Sequence, residues 1–181
     1  MLVKVGGITN LSDARYCAGM GVEMLGFGVV EGQDNYLDAE KFQEIRGWVT
    51  GPRVVAELFG IQHPEALETI IKNYRPDYLE LGLKEIALFP SLPVPFILSL
   101  KDTESSQNLP YPPSYVHRDS LSISDDDYPV ILRVFSIDDL KSSLENSKVH
   151  GISMRGNKEL RPGLKDYELL AEVLEQLDED N

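Results

Sequence analysis

The sequence predicts a closed (β/α)8, or TIM, barrel that is shortened on one side, and three observations carry the prediction. Eight apolar, β-prone runs recur along the chain: LVKVG (2–6), EMLGFGVV (23–30), RVVAELF (53–59), YLELG (78–82), PFILSLK (95–101), SYVHRD (114–119), PVILRVF (129–135) and GISMRG (151–156). Helical patterns separate the early runs and follow the last two. Strands that alternate with helices pair in parallel through crossovers, and eight such units favour a closed barrel over an open sheet. A chain of 181 residues, 42% of them hydrophobic, then suffices for one compact domain over 1–181.

The elements follow in order. The first strand runs into Gly6-Gly7-Ile8-Thr9-Asn10, a turn that opens a helix over 11–20. Leu11, Ala14, Cys17 and Ala18 share one face of that helix, so Cys17, the single cysteine, reads as a buried structural thiol. The second helical pattern, 38–48, begins with Asp38 as N-cap; the third, 64–74, carries Pro64 in its first turn. Strand starts fall about 21 residues apart, barely enough for a strand, a helix and two loops. Two steps are too broken for a helix. Residues 102–113, DTESSQNLPYPP, end in three prolines within four residues, and 120–128, SLSISDDDY, leave room for no more than a turn. Helices 5 and 6 of the barrel are therefore expected to be missing or vestigial. Two further helices fit at 136–146 and 165–178, the last ending in an acidic, fraying tail.

Charge excludes some partners. Seventeen Lys+Arg against 30 Asp+Glu give a formal net charge of −13, which repels a phosphate backbone and argues against nucleic-acid binding. No apolar run approaches the roughly 20 residues that span a bilayer. The N-terminus goes straight into a strand pattern without a signal-peptide layout. A cytoplasmic protein with no membrane partner is expected.

Strand parity picks out candidate chemistry. His117 and Asp119 share a parity at the C-terminal end of their strand, where both would face the barrel mouth as an acid–base pair. Asp119 reads equally as a structural partner of Arg118 or of a neighbouring loop. Glu57 and Glu80 each fall within a strand. If both point inward they are either paired carboxylates for proton transfer, one pKa raised by the other, or a structural network with Lys4 and Lys101.

Two segments carry a family resemblance. KVGGITNLSDARYCAGMGVEMLGF resembles the N-terminus of phosphoribosylanthranilate isomerase, a tryptophan-pathway enzyme, through Lys4, Gly7, Ile8, Thr9, Asp13, Ala14, Gly21, Gly26 and Phe27. RPGLKDYELLAEVL is similar to that family's segment before its last helix, through Pro162, Gly163, Lys165 and Asp166. PDYLELG is a weaker echo, with Glu80 where the family has an inward Gln. The resemblance implies a (β/α)8 barrel and an Amadori rearrangement of N-(5′-phosphoribosyl)anthranilate to a 1-deoxyribulose phosphate. It implies no metal and no organic cofactor. A base removes a proton from C2 while an acid protonates C1.

Carried over residue by residue, the resemblance meets departures. Gly6 stands where the family has its base, a cysteine, beside the matching Gly7. Asn35 stands where an Arg holds the substrate carboxylate, followed by the matching Tyr36. Asp119 corresponds to the family acid. The phosphate-binding glycines are reduced to Gly156, which leaves Arg133 and Arg155 as phosphate partners or as surface charges. These losses predict impaired or absent turnover of the family substrate.

Three readings follow: an isomerase acting on a phosphosugar, a non-catalytic homologue binding a phosphorylated ligand or a protein, and a different reaction built on Glu57, Glu80, His117 and Asp119. A mouth plugged by Phe135, Met154 or the 102–113 loop would count against small-molecule catalysis. The shortened 102–128 side, if it exposes an apolar patch, predicts a homodimer.

Overall fold

The computed structural model describes residues 1–120, 127–155, 159–161, 164–165 and 167–179, with backbone alone for 159–161, 164–165 and 178–179. Eight parallel strands close into a barrel: β1 (Leu2–Gly6), β2 (Met24–Gly28), β3 (Arg53–Glu57), β4 (Tyr78–Leu81), β5 (Phe96–Leu100), β6 (Tyr115–Arg118), β7 (Val130–Arg133) and β8 (Val149–Arg155). Closure runs through β1 and β8, which pair over five positions from Leu2↔Gly151 to Gly6↔Arg155.

Alternation along each strand separates two environments. Val3, Val5, Leu25, Phe27, Val54, Leu79, Leu98 and Ile152 point outward and join the helices in one buried apolar layer. Met24, Val55, Ile97 and Ile131 form a second cluster inside the barrel, with Leu2, Tyr78 and Tyr115 packed against it. These inner residues sit near the N-terminal ends of their strands. The apolar floor leaves the C-terminal half of the interior to polar side chains.

The helices begin where side-chain caps permit. α1 (Leu11–Gly19) is capped by Asn10, α2 (Ala39–Trp48) by Asp38 and α5 (Ile137–Leu144) by Ser136, each accepting from a backbone N–H three residues on. Asp38 is thus the cap that the sequence indicates. α3 (Ala66–Tyr74) starts two residues beyond Pro64, which occupies the preceding turn. Cys17 is fully buried on α1.

The shortening reaches further than the sequence suggests. Between β4 and β5 there is only α4 (Leu83–Ile86), a single turn, and residues 101–114 after β5 carry no helix. Part of the β6–β7 connection, 121–126, lies outside the described residues. Loop side chains cover the exposed flank instead. The Tyr111 ring packs on Phe96 at 5.4 Å, and its hydroxyl donates to the Phe89 carbonyl at 3.2 Å. Arg118 points outward into the place of the missing helix, 4% exposed. Its guanidinium donates to the carbonyls of Lys101 at 3.0 Å and Glu104 at 2.8 Å, tying down the loop. None of the exposed large apolar side chains among the described residues falls within 102–120.

The C-terminal helix starts later than expected. β9 (Glu159–Arg161) and β10 (Leu164–Lys165) form an antiparallel ribbon, so α6 runs from Glu168 to Glu179 and not from 165.

Candidate functional site

Above the apolar floor, six inward side chains from six strands meet. Lys4 comes from β1, Glu57 from β3, Glu80 from β4, Ser99 from β5, His117 from β6 and Ser153 from β8. Register places Glu57 beside Glu80, Ser99 beside His117 and Lys4 beside Ser153 on neighbouring strands. Lys4 Nζ lies 2.6 Å from Glu80 Oε2 and 3.6 Å from Glu57 Oε1. Ser99 Oγ donates to Glu80 Oε1 at 2.8 Å, and His117 Nδ1 sits 3.2 Å from the same oxygen. On its other side, His117 Nε2 lies 2.6 Å from Ser153 Oγ. Each ring nitrogen therefore has a polar partner, Glu80 Oε1 on one side and the Ser153 hydroxyl on the other.

This arrangement corrects two expectations. Glu57 and Glu80 do share Lys4, but Lys101 is exposed at the rim, and Ser99 and His117 take its place. Nor is the Glu80 carboxyl raised by its neighbour. Burial alone would push it up; the Lys4 ammonium and His117 outweigh that and hold it well below the ordinary carboxylate range.

Ser153, His117 and Glu80 stand in the order of a hydrolytic triad. Ser153 lines neither cavity at the mouth, so its hydroxyl serves the network and not a substrate.

The Glu57 carboxylate leans over the neighbouring β2 toward β1, where two glycines make room for it. A Cβ on Gly6 would fall 2.6 Å from Glu57 Oε1 and 3.2 Å from Lys4 Nζ. A Cβ on Gly26 would overlap the same carboxylate. The Gly7 N–H donates to Glu57 Oε1 at 3.2 Å, and Arg155 Nη2 approaches Oε2 at 3.5 Å.

Two cavities open at the C-terminal ends of the strands. One, of about 460 Å³, is lined by Glu80, Ser99, His117, Asp119, Arg133 and Arg155 among others. A smaller one, of about 190 Å³, is lined by Gly28, Asn35, Glu57, Phe59 and Arg155 with their neighbours. Arg155 belongs to both.

The sequence-derived candidates distribute themselves accordingly. His117 and Asp119 share the larger cavity, as their parity predicts. Asp119 pairs with Arg133 at 3.3 Å and not with Arg118, which points the other way. Arg133 also lies over the Phe135 ring at 5.3 Å. Phe135 is 61% exposed and Met154 is buried under the helices, so neither plugs the mouth. Asn35 reaches the smaller cavity beside Gly7, whose φ of +67° makes a side chain there strained. Tyr36 turns away into a lateral groove of about 580 Å³ together with Ile61, Ile70 and Tyr74. Gly156 lies outside the described residues.

Ser99 and Ser153 were missed by sequence reasoning. A lone serine at inward parity in each of the apolar runs PFILSLK and GISMRG is the signal that would have found them. Among the described residues, no group of three or more His, Cys, Asp or Glu could hold a metal ion. No helix among them is long and apolar enough to cross a membrane.

No protein-family model and no curated protein matches the chain. Solved structures do. The phosphoribosyl anthranilate isomerase from Thermus thermophilus is 20% identical with a TM-score of 0.75, covering 100% of both chains. Monomers generated from the dimeric enzyme of Thermotoga maritima give 17% identity and a TM-score of 0.73 over 98% of both chains. A third phosphoribosyl anthranilate isomerase, in complex with reduced 1-(o-carboxyphenylamino)-1-deoxyribulose 5-phosphate, gives 16% and 0.71 over 99% of this chain and 100% of that one. The likeness read from the two ends of the sequence therefore extends through the whole tertiary structure: this chain has the (β/α)8 barrel fold of the phosphoribosylanthranilate isomerase structures.

Proposed function

We propose that the protein is a phosphoribosylanthranilate isomerase-like barrel that binds a phosphorylated ribosyl amine at its mouth and carries out aldose–ketose isomerisation without a cysteine base. The observation that supports this most is that Arg133 and Arg155, at the ends of β7 and β8, line the one cavity that also holds His117 and Asp119, with Arg133 partnered by Asp119 and Arg155 by Glu57. Two guanidiniums at the mouth of an acidic protein of net charge −13 are suited to an anion. They would stand in for the backbone N–H groups of a glycine turn. Asn35, in the adjoining cavity, offers an amide donor to the far end of the ligand.

The test is turnover of N-(5′-phosphoribosyl)anthranilate, followed by loss of its fluorescence, in this protein and in Gly6→Cys. Turnover in the unmodified protein is expected. Arg155→Gln should raise KM for the phosphorylated substrate by about tenfold or more, as loss of a charge-assisted contact does. No turnover in the unmodified protein would sink the isomerase reading, and turnover gained only in Gly6→Cys would show a substrate site that has lost its base.

One observation favours a second reading, a non-catalytic barrel that binds a phosphorylated ligand or a protein partner. Both nitrogens of His117 and the carboxylate of Glu80 are engaged by Lys4, Ser99 and Ser153, which leaves these two candidates occupied. Calorimetric binding of a 1-deoxyribulose phosphate analogue without turnover would select that reading. The Thermotoga maritima relative is dimeric. A homodimer of this chain is the corresponding assembly proposal, to be read by light scattering; the described part of the 102–128 side exposes no large apolar side chain to support it there, and a strict monomer at high concentration would exclude it. A cytoplasmic location accompanies either reading.

A further inference from the structure

Of the two inward carboxylates, Glu80 is the one whose strand echo draws attention, yet the geometry singles out Glu57. Glu80 is saturated. Lys4 holds one oxygen at 2.6 Å, while Ser99 at 2.8 Å and His117 at 3.2 Å hold the other. Glu57 is held loosely. Its Oε1 takes the Gly7 N–H at 3.2 Å, with Lys4 at 3.6 Å, and Arg155 approaches Oε2 at 3.5 Å. A contact at 3.5 or 3.6 Å is too long for a strong hydrogen bond, so lone pairs remain for a substrate.

Both carboxylates line a cavity, Glu80 the larger one and Glu57 the smaller. Glu57 lines the smaller cavity with Asn35 and Arg155, although its side chain is only 3% exposed. Gly6 and Gly26 have no Cβ, and the carboxylate fills the space in which a side chain on either would sit. The glycine of the first strand is thus not an empty place. It is the clearance through which the third strand delivers an acid.

We infer that Glu57 is the general base of the isomerisation, taking the proton from C2 of the sugar. The inference rests on the isomerase reading above. With the imine nitrogen protonated, the C2–H bond breaks and its electrons form C1=C2, while the C1=N pair returns to nitrogen. Glu57 carries the proton away. A proton from solvent then adds to C1, using the C1=C2 pair, while the O2–H proton leaves to solvent and its electrons form C2=O, so the atoms of substrate and product balance. Arg155 spans both cavities, placing the base within reach of a ligand anchored at the larger one.

The experiment compares the protein with Glu57→Gln, Glu57→Asp and Gly6→Ala, each first checked for folding by circular dichroism. Glu57→Gln is expected to lose about 10²- to 10⁴-fold in kcat with KM changed only a few-fold, the ordinary worth of a general base. Glu57→Asp keeps the charge beside Lys4 and Arg155 but retracts the oxygen. It should fold, turn over slowly and show a larger isotope effect with substrate deuterated at C2. Gly6→Ala, whose Cβ would lie 2.6 Å from the carboxylate, should lower kcat by displacing it. Turnover by Glu57→Gln within threefold of the unmodified protein overturns the inference and leaves the isomerase reading intact. If Glu57→Gln does not fold, unchanged kcat and isotope effect in Glu57→Asp overturn it. Absence of turnover in the unmodified protein overturns both.

Discussion

The Lys4 ammonium lies 2.6 Å from Glu80 Oε2, and the two side chains are 3% and 1% exposed, so the barrel encloses an ion pair out of reach of water. Burying two charges is costly, and the cost is offset only if their remaining hydrogen-bonding capacity is met. Ser99 and His117 supply that at Glu80 Oε1, while Oε2 has Lys4 alone, and the nearby Glu57 adds a second negative partner for Lys4.

Removing Lys4 exposes that dependence. Lys4→Met leaves Glu57 and Glu80 without their shared cation and should cost about 3–5 kcal/mol, measured by urea unfolding. Adding Glu80→Gln should restore part of the loss, because the enclosed charge is then reduced. A single variant as stable as the parent would show that the pair contributes nothing.

The same pair sets an acid dependence. Burial raises the Glu80 pKa, but Lys4 and His117 lower it further than burial raises it, so the folded value lies below that of the unfolded chain. The unfolded chain then binds the proton more readily. This carboxylate's contribution is complete above the unfolded value of about 4.3, declines as the pH falls below it and is gone only beneath the folded value. Urea midpoints taken from pH 6 down to pH 3 should therefore fall more steeply for the parent than for Glu80→Gln. Parallel slopes would refute the assignment.

Arg118 stands in for a helix. Its guanidinium is the donor for two loop carbonyls, at 3.0 and 2.8 Å. Arg118→Met should cost about 1.5–3 kcal/mol, the range for hydrogen bonds to charged groups. Limited proteolysis should then cut the variant within 102–113 sooner than the parent. Equal cutting rates would mean that the apolar packing of Tyr111 holds the loop unaided.

Gly28 tests the fit of the second loop. A Cβ there would lie 2.5 Å from the Asn35 carbonyl oxygen and 3.0 Å from its carbon, a clash with backbone and not with a flexible tip. Gly28→Ala should cost about 1–3 kcal/mol and move Asn35 away from the smaller cavity. A crystal structure of the variant with Asn35 unmoved would contradict this.

How much of this was legible beforehand follows from the range of the forces involved. The eight strands, the Asp38 cap, the missing helix after β5 and the burial of Cys17 rest on patterns within a dozen residues, and the sequence displays them directly. Parity also put His117 and Asp119 on one face. Parity further separates Arg118 from Asp119, although the sequence left them as candidate partners; the structure sends one outward to a loop and the other inward to Arg133.

Which inward residues meet was decided elsewhere. Glu57 reaches the Gly7 N–H across 50 positions of sequence, and it approaches Arg155 across 98. Those contacts depend on barrel closure and on the clearance that Gly6 and Gly26 leave. Ser99 and Ser153 acquire a role only when His117 stands between them, and Tyr36 faces the lateral groove because its loop pairs along Gly28. The sequence by itself determined the strands, their inner and outer faces and the thinness of one flank, because local periodicity encodes them. Tertiary structure alone decided that Glu57, and not a side chain at position 6, fills the space over Gly6 and Gly26, because only the packing of β3 beside β2 and β1 brings its carboxylate there.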